Sequence, residues 1–203
     1  MSEDDDRLIY FAGSPFARMG RVFIREWHLP IVETEAPFPP PNWLFQLNPL
    51  GQVPALALGE ERLFPTMVIL ERLWELAGSP ASAYVPGSEK QLLLTTLQAG
   101  DALVAALYQR WAGLAPVGEN HIGYDPAARN LARFVSVLRW VAVEGRLREG
   151  LTLPGVAVAC LLPWSDARGG PAWWEHDGLA ALVDGLAARE TFRKTQPQPW
   201  RPG

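Results

Sequence analysis

Ser14 is a hydroxyl at the end of a short apolar run, Arg7 to Phe11, and directly before Pro15, a residue suited to the first position of a helix. Free backbone N–H groups and the positive end of a helix dipole favour an anion at such a place. The bland reading is a helix N-cap, since Ser is a preferred cap and Ser-Pro a common helix start. Two other stretches could take part in the same chemistry: Asn48-Pro49-Leu50-Gly51-Gln52-Val53-Pro54-Ala55-Leu56, and Leu63-Phe64-Pro65-Thr66 running into Met67-Val68-Ile69-Leu70-Glu71. His28, His121 and His176 have no partners at metal-ligand spacing and read as surface or packing residues, so no metal site is expected. Cys160 is the only cysteine, which excludes an intramolecular disulfide and a thiolate zinc site. Inside an apolar helix it reads as a small buried side chain with a raised pKa, hence inert.

The elements that must position these residues follow from the apolar pattern. Arg7 to Phe11 reads as a strand, Ala12 to Ser14 as a turn, and Pro15 onward as a helix carrying Arg18, Val22, Phe23 and Trp27. Leu29 to Val32 reads as a second strand. Ala36 to Pro41 carries four prolines and is expected to be a loop over a cleft or edge, with one helical turn within Trp43 to Leu47. Val53 to Leu58, the turn Gly59-Glu60-Glu61 and Arg62 to Phe64 read as a hairpin, followed by a helix over Pro65 to Ala77. Gly78-Ser79-Pro80 to Gly87 reads as a linker.

Beyond it the pattern is entirely helical. Leu93, Leu97, Gly100, Val104, Leu107 and Trp111 fall along one stripe of a long helix, and Leu131 to Ala142 repeats the signature. Val156 to Leu162 is apolar on nearly all sides, so it is expected to be the buried central helix; Leu179 to Ala188 forms another amphipathic set. Of the nine tryptophans most are assigned to packing, while Phe11, Tyr108 and Trp111 could also line an apolar ligand cleft.

The chain has 203 residues, 48% of them apolar, with a formal charge of −4. That length suits two small domains and a core that needs no metal or disulfide staple. Mild acidity with scattered Lys and Arg argues against nucleic acid or a membrane surface as partner. Glu3 to Asp6 reads as a frayed tail. The N-terminal apolar run is far shorter than a signal-peptide core or a membrane span, so a cytoplasmic protein is expected.

The Asn48 to Leu56 run, the hairpin after it and Pro65-Thr66 resemble the cytosolic glutathione transferases. Members of that family carry Asn-Pro, then Val-Pro-x-Leu, then an acidic-Ser pair at the next helix. Ser14-Pro15-Phe16-Ala17-Arg18 matches their first-helix segment, and Leu179 to Pro197, ending in Ala188 to Thr195, is similar to the C-terminal helix and tail of bacterial members. The motifs occur in the family's order along the full chain.

The resemblance implies a thioredoxin-like α/β domain over 1–78 and an all-α domain over 88–203, with the cleft between them. It implies a homodimer, glutathione as co-substrate, and transfer of its thiol to a hydrophobic electrophile. Pro54 would follow a cis bond, and Val53, beside Gln52, would pair its backbone with glutathione as an added strand does. Thr66 would hold the γ-glutamyl carboxylate at a helix N-terminus. Pro65 stands where the family has the acidic residue that meets the ligand's ammonium group; losing such a charge-assisted hydrogen bond costs ~1.5–3 kcal/mol. Ser14 would activate the thiol: lowering a pKa from about 8.5 to about 6.5 raises the thiolate from roughly 3% to roughly three-quarters at neutral pH. Phe11, Phe16, Tyr108 and Trp111 would wall the substrate pocket.

Three alternatives of function remain open at this point: a transferase, a transferase-like binder that has lost turnover, and a glutathione-dependent reductase or ether-cleaving enzyme. No cysteine lies in the Ser14 loop, which argues against mixed-disulfide chemistry. Thr152-Leu153-Pro154-Gly155 replaces the family's Ser/Thr-x-x-Asp capping box; Thr152 can still cap, but Gly155 cannot reach back.

Overall fold

The computed structural model describes residues 6–113, 123–144, 147–174 and 176–197. His121 and the acidic residues Glu3 to Asp5 lie outside them. A four-stranded sheet opens the chain, in the order β2-β1-β3-β4. Strand β1 (Arg7–Tyr10) pairs in parallel with β2 (Val32–Glu35) and antiparallel with β3 (Ala55–Leu58), which forms a hairpin with β4 (Glu61–Leu63). Helix α1 (Pro15–Glu26) makes the parallel crossover, and α2 (Thr66–Leu76) follows the hairpin. This is a thioredoxin-like sheet unit. Among the described residues it is followed by five helices: α3 (Pro86–Trp111), α4 (Pro126–Val143), α5 (Leu153–Asp166), α6 (Asp177–Ala187) and α7 (Glu190–Lys194).

Strand β2 lies C-terminal to the expected Leu29 to Val32. The chain turns at His28, whose φ is +51°, and Pro30 follows, so the apolar Leu29 and Ile31 pack at the end of the turn while pairing begins at Val32. Its sequence, Val-Glu-Thr-Glu, lacks an apolar pattern because it is an edge strand whose charges have partners. Glu33 accepts from Arg21 Nε at 2.6 Å and Arg25 Nη2 at 2.8 Å, both on α1. Burial pushes the Glu33 carboxyl up, but the hydrogen bonds from Arg25 and Arg21 outweigh it and hold the group below its ordinary range.

Two other expectations change. Asp6 is not a tail residue: its carbonyl accepts from Val32 N–H and its carboxylate from Gly59 N–H, which ties it to the sheet. The stretch 78–87 is not a loose linker either. Tyr84 is fully buried and donates to Glu71 at 3.1 Å, while Trp74 Nε1 donates to Pro80 carbonyl at 3.1 Å. Small residues and prolines made this stretch look free; one aromatic anchors it.

Helix α5 is buried along almost its whole length and forms the centre of the helical part. Thr152 caps it, accepting from Gly155 N–H at 3.1 Å. A Cβ on Gly155 would lie 2.8 Å from that hydroxyl, so the residue that cannot complete a capping box leaves room for the cap. Helix α3 crosses α5 at Gly100, where a Cβ would meet Leu161 at 2.7 Å and Phe16 at 3.1 Å. The missing side chain lets the helices approach and seats Phe16, from α1, against them.

Candidate functional site

Ser14 caps α1 in extended backbone, with its hydroxyl oxygen accepting from Ala17 N–H at 3.1 Å. It is buried, at 6% exposure. A hydroxyl has one proton to donate and two lone pairs, so a single accepted bond leaves the proton available. The cap and a donor role are therefore compatible.

Asn48, also buried, organises the next segment: its side chain accepts from Leu50 N–H at 2.9 Å and donates to Gln52 carbonyl at 2.8 Å. Gly51 turns with φ +62°, and two residues on the chain reaches a cis Val53–Pro54 bond. The Phe38–Pro39 and Phe64–Pro65 bonds are cis as well. Among the described residues no backbone group bonds the Val53 N–H or C=O, so both are available to an incoming strand.

Two adjoining cavities open between the sheet unit and the helices. The smaller, about 170 Å³, is lined by Ser14, Phe16, Gln52 and Val53 from the first unit and by Asp101, Val104 and Tyr108 from α3. The larger, about 630 Å³, is lined by Phe11, Tyr108 and Trp111, with the Pro-rich loop contributing Pro37 and Phe38. Phe11, Gly13, Phe38, Tyr108 and Trp164 line both. Tyr108 and Trp111 meet edge to face at 5.1 Å between ring centres, and Phe11 meets Phe38 at 5.5 Å. Pro54, Pro65 and Thr66 lie outside the lining of both cavities. Thr66 is half-buried in the first turn of α2; Pro65 is the exposed N-cap residue and supplies no side-chain hydrogen bond.

Three lining residues carry no signal that singles them out in the sequence by local pattern alone. Trp164 on α5 donates its Nε1–H to the Gly13 carbonyl at 2.7 Å, which pins the Ser14 loop to the central helix. The one hint was a ring N–H inside an apolar helix, since a buried indole needs an acceptor. Asp101 follows Gly100 directly, a carboxylate next to the one small residue of an apolar stripe; partial burial pushes its carboxyl up. Arg168 falls four residues after Trp164, in the turn that ends α5. Its guanidinium lies 4.5 Å from the Trp164 ring centre. Burial pulls it below its ordinary range and pushes Tyr108 up. Cys160 is fully buried in α5, with its thiol raised to about 11 by burial.

Among the described residues no group of three or more His, Cys, Asp or Glu could hold a metal ion, and no helix is long and apolar enough to cross a membrane.

The family model of the glutathione S-transferase N-terminal domain matches residues 13–76, the stretch from the Ser14 loop through α2. Over 207 aligned residues the chain is 28% identical to the uncharacterized GST-like protein YibF of Escherichia coli K12, covering 94% of this chain and 98% of that one. A glutathione S-transferase from Methylobacillus flagellatus KT, solved with glutathione bound, has the same fold at a TM-score of 0.80 and 23% identity, covering 96% of this chain and 100% of that chain. A glutathione transferase family member from Pseudomonas fluorescens Pf-5, also with bound glutathione, superposes at 0.80 with 24% identity over 96% of this chain and 100% of that chain. Residues 13–76, the segment that carries the cleft loops, match the glutathione S-transferase N-terminal domain, and the chain as a whole shares the two-part fold of these solved transferases.

Proposed function

We propose that the protein binds reduced glutathione and transfers its thiol to a hydrophobic electrophile. The observation that carries the reading is the convergence of Ser14, Gln52 and Val53 on one cavity that shares Phe11, Phe38, Tyr108 and Trp164 with a larger aromatic one. Glutathione lies along the unpaired Val53 backbone as an added strand, with Pro54 fixing the course of the chain beyond it. Its γ-glutamyl carboxylate meets the N-terminus of α2 at Thr66. The Ser14 hydroxyl, held in place by the Ala17 N–H, donates to the sulfur and lowers the thiol pKa together with the helix dipole. The thiolate attacks an electrophilic carbon held between Phe11, Phe16, Tyr108 and Trp111. Division at 1–78 and 88–203, and pairing as a homodimer, belong to the same proposal.

Initial rates with glutathione and a neutral aromatic electrophile test it. Ser14→Ala is expected to lower kcat by roughly tenfold or more, the loss of a two-unit thiol pKa shift at neutral pH, with little change in glutathione affinity. Pro65 favours a second reading, in which the protein is a transferase-like binder without turnover, because a proline there offers no charge to the ligand's ammonium group. Absence of a rate above background in the unaltered protein supports the second reading and contradicts the first.

A further inference from the structure

The larger cavity is lined mostly by apolar and aromatic side chains, and two charged residues join them. Glu35 stands at one side, where it accepts a hydrogen bond from Tyr10 at 3.3 Å, and Arg168 at the other. Arg168 is half-buried, and its guanidinium differs from those of the buried Arg21 and Arg18. Arg21 has Glu33, and Arg18 donates to the Phe192 carbonyl at 3.1 Å. Among the described residues the Arg168 guanidinium makes no side-chain hydrogen bond and has no carboxylate within ion-pair distance; it rests on the face of Trp164, and its Nη1, like that of Arg18, is buried without a partner. A guanidinium cannot shed its proton to relieve this, so the charge persists in a cavity walled by Phe11, Phe38 and Trp111. Its Nη2 lies 3.6 Å from where a Cβ on Gly13 would be, one residue from Ser14. A planar cation with unused donors, beside the loop proposed to hold the sulfur, is matched in shape and charge to a carboxylate.

We propose that Arg168 is a specificity-determining residue that selects aromatic or otherwise apolar electrophiles bearing a carboxylate. This rests on the glutathione-transfer reading of the same cleft. With an activated aryl chloride as electrophile, the glutathione sulfur bonds to the ring carbon that carries chlorine, chloride leaves with the bonding pair of the broken C–Cl bond, and the thiol proton passes to solvent.

The test compares 4-chloro-3,5-dinitrobenzoate with its neutral carboxamide, each corrected for its uncatalysed rate. In parallel, the two chemically prepared glutathione conjugates are titrated by tryptophan fluorescence. Losing a charged hydrogen-bond partner corresponds to roughly 10- to 150-fold, so the unaltered protein is expected to favour the carboxylate member by at least about tenfold in kcat/KM and in conjugate affinity. Arg168→Gln collapses both ratios towards one, and Arg168→Lys keeps part of the preference because it keeps the charge without the fork. If stacking on Trp164 were the whole role of Arg168, neither ratio would move.

A ratio near one in the unaltered protein overturns the proposal, and needs no variant to fold. A ratio that survives Arg168→Gln overturns it too, as does a parallel fall in affinity for glutathione itself, which assigns the guanidinium to a carboxylate of glutathione. Selective conjugate binding without turnover supports Arg168 and contradicts the transferase reading; turnover without selectivity does the reverse.

Discussion

Single residues divide the site between visible and hidden parts. The Ser14 loop, Gln52, Val53 and the Pro65-Thr66 pair could be found in the sequence because each is local: a turn, a loop or a helix start announces itself in neighbouring residue types. Pro65 invites a direct test at this scale. It is exposed, leaves α2 without a side-chain cap, and stands where the glutathione transferases carry an acidic side chain. Pro65→Asp is expected to tighten glutathione by roughly tenfold or more in a calorimetric titration, the worth of one charge-assisted hydrogen bond. Unchanged affinity in this variant would place the ammonium group elsewhere. Asp101, Trp164 and Arg168 were not legible in the same way. They reach the cleft from α3, from α5 and from the turn after α5, so their part in it depends on how distant helices pack, which no local pattern states.

At the level of elements, periodicity located the helices well and the edge strand poorly. Helices α1 to α4 declare themselves by stripes of apolar residues and α5 by being apolar all round, whereas β2 carries no apolar pattern, its Glu33 being paired with Arg21 and Arg25 on α1. Gly100 shows an element contact read only in part: its place on an apolar stripe was visible, but not that α5 and Phe16 fill the space above it. Gly100→Ile is expected to destabilise the protein by about 1–3 kcal/mol through overpacking, read as a lower urea midpoint with an unchanged slope. Because Asp101 and Phe16 flank the same crossing, glutathione affinity should fall with it. Unaltered stability would mean that α3 and α5 do not pass as closely as described.

The molecule as a whole is closed by its C-terminal segment against its first helix. Glu26 on α1 takes a two-pronged bond from Arg189, at 2.8 and 2.5 Å, and a further bond from Thr191. Arg18 reaches from α1 to the Phe192 carbonyl and to Thr195 at 3.4 Å. The resemblance had placed the tail in the family without showing what it holds. Arg189 hydrogen bonding holds the Glu26 carboxyl below its ordinary value of 4.5, and Glu33, bonded to Arg21 and Arg25 of the same helix, is held low as well. Carboxylates depressed in the fold stabilise it fully above their unfolded value and lose that stabilisation as pH falls through the folded one. Stability is therefore expected to hold near neutral pH and to fall below about 4.5, and Glu26→Gln combined with Glu33→Gln to flatten that fall. Urea midpoints across the acid range measure it; an unchanged slope in the double variant would remove α1 from the account of acid stability.

The central claim is that the cleft beside Ser14 and Val53 holds glutathione, and calorimetric titration of the protein with reduced glutathione tests it most directly, with Thr66→Ala as the control for the site. The account predicts saturable heat with a dissociation constant between micromolar and low millimolar, weakened in Thr66→Ala. No heat at several temperatures, together with no thermal shift at ligand concentrations on the order of 10 mM, would limit any affinity to ~3 kcal/mol and contradict it.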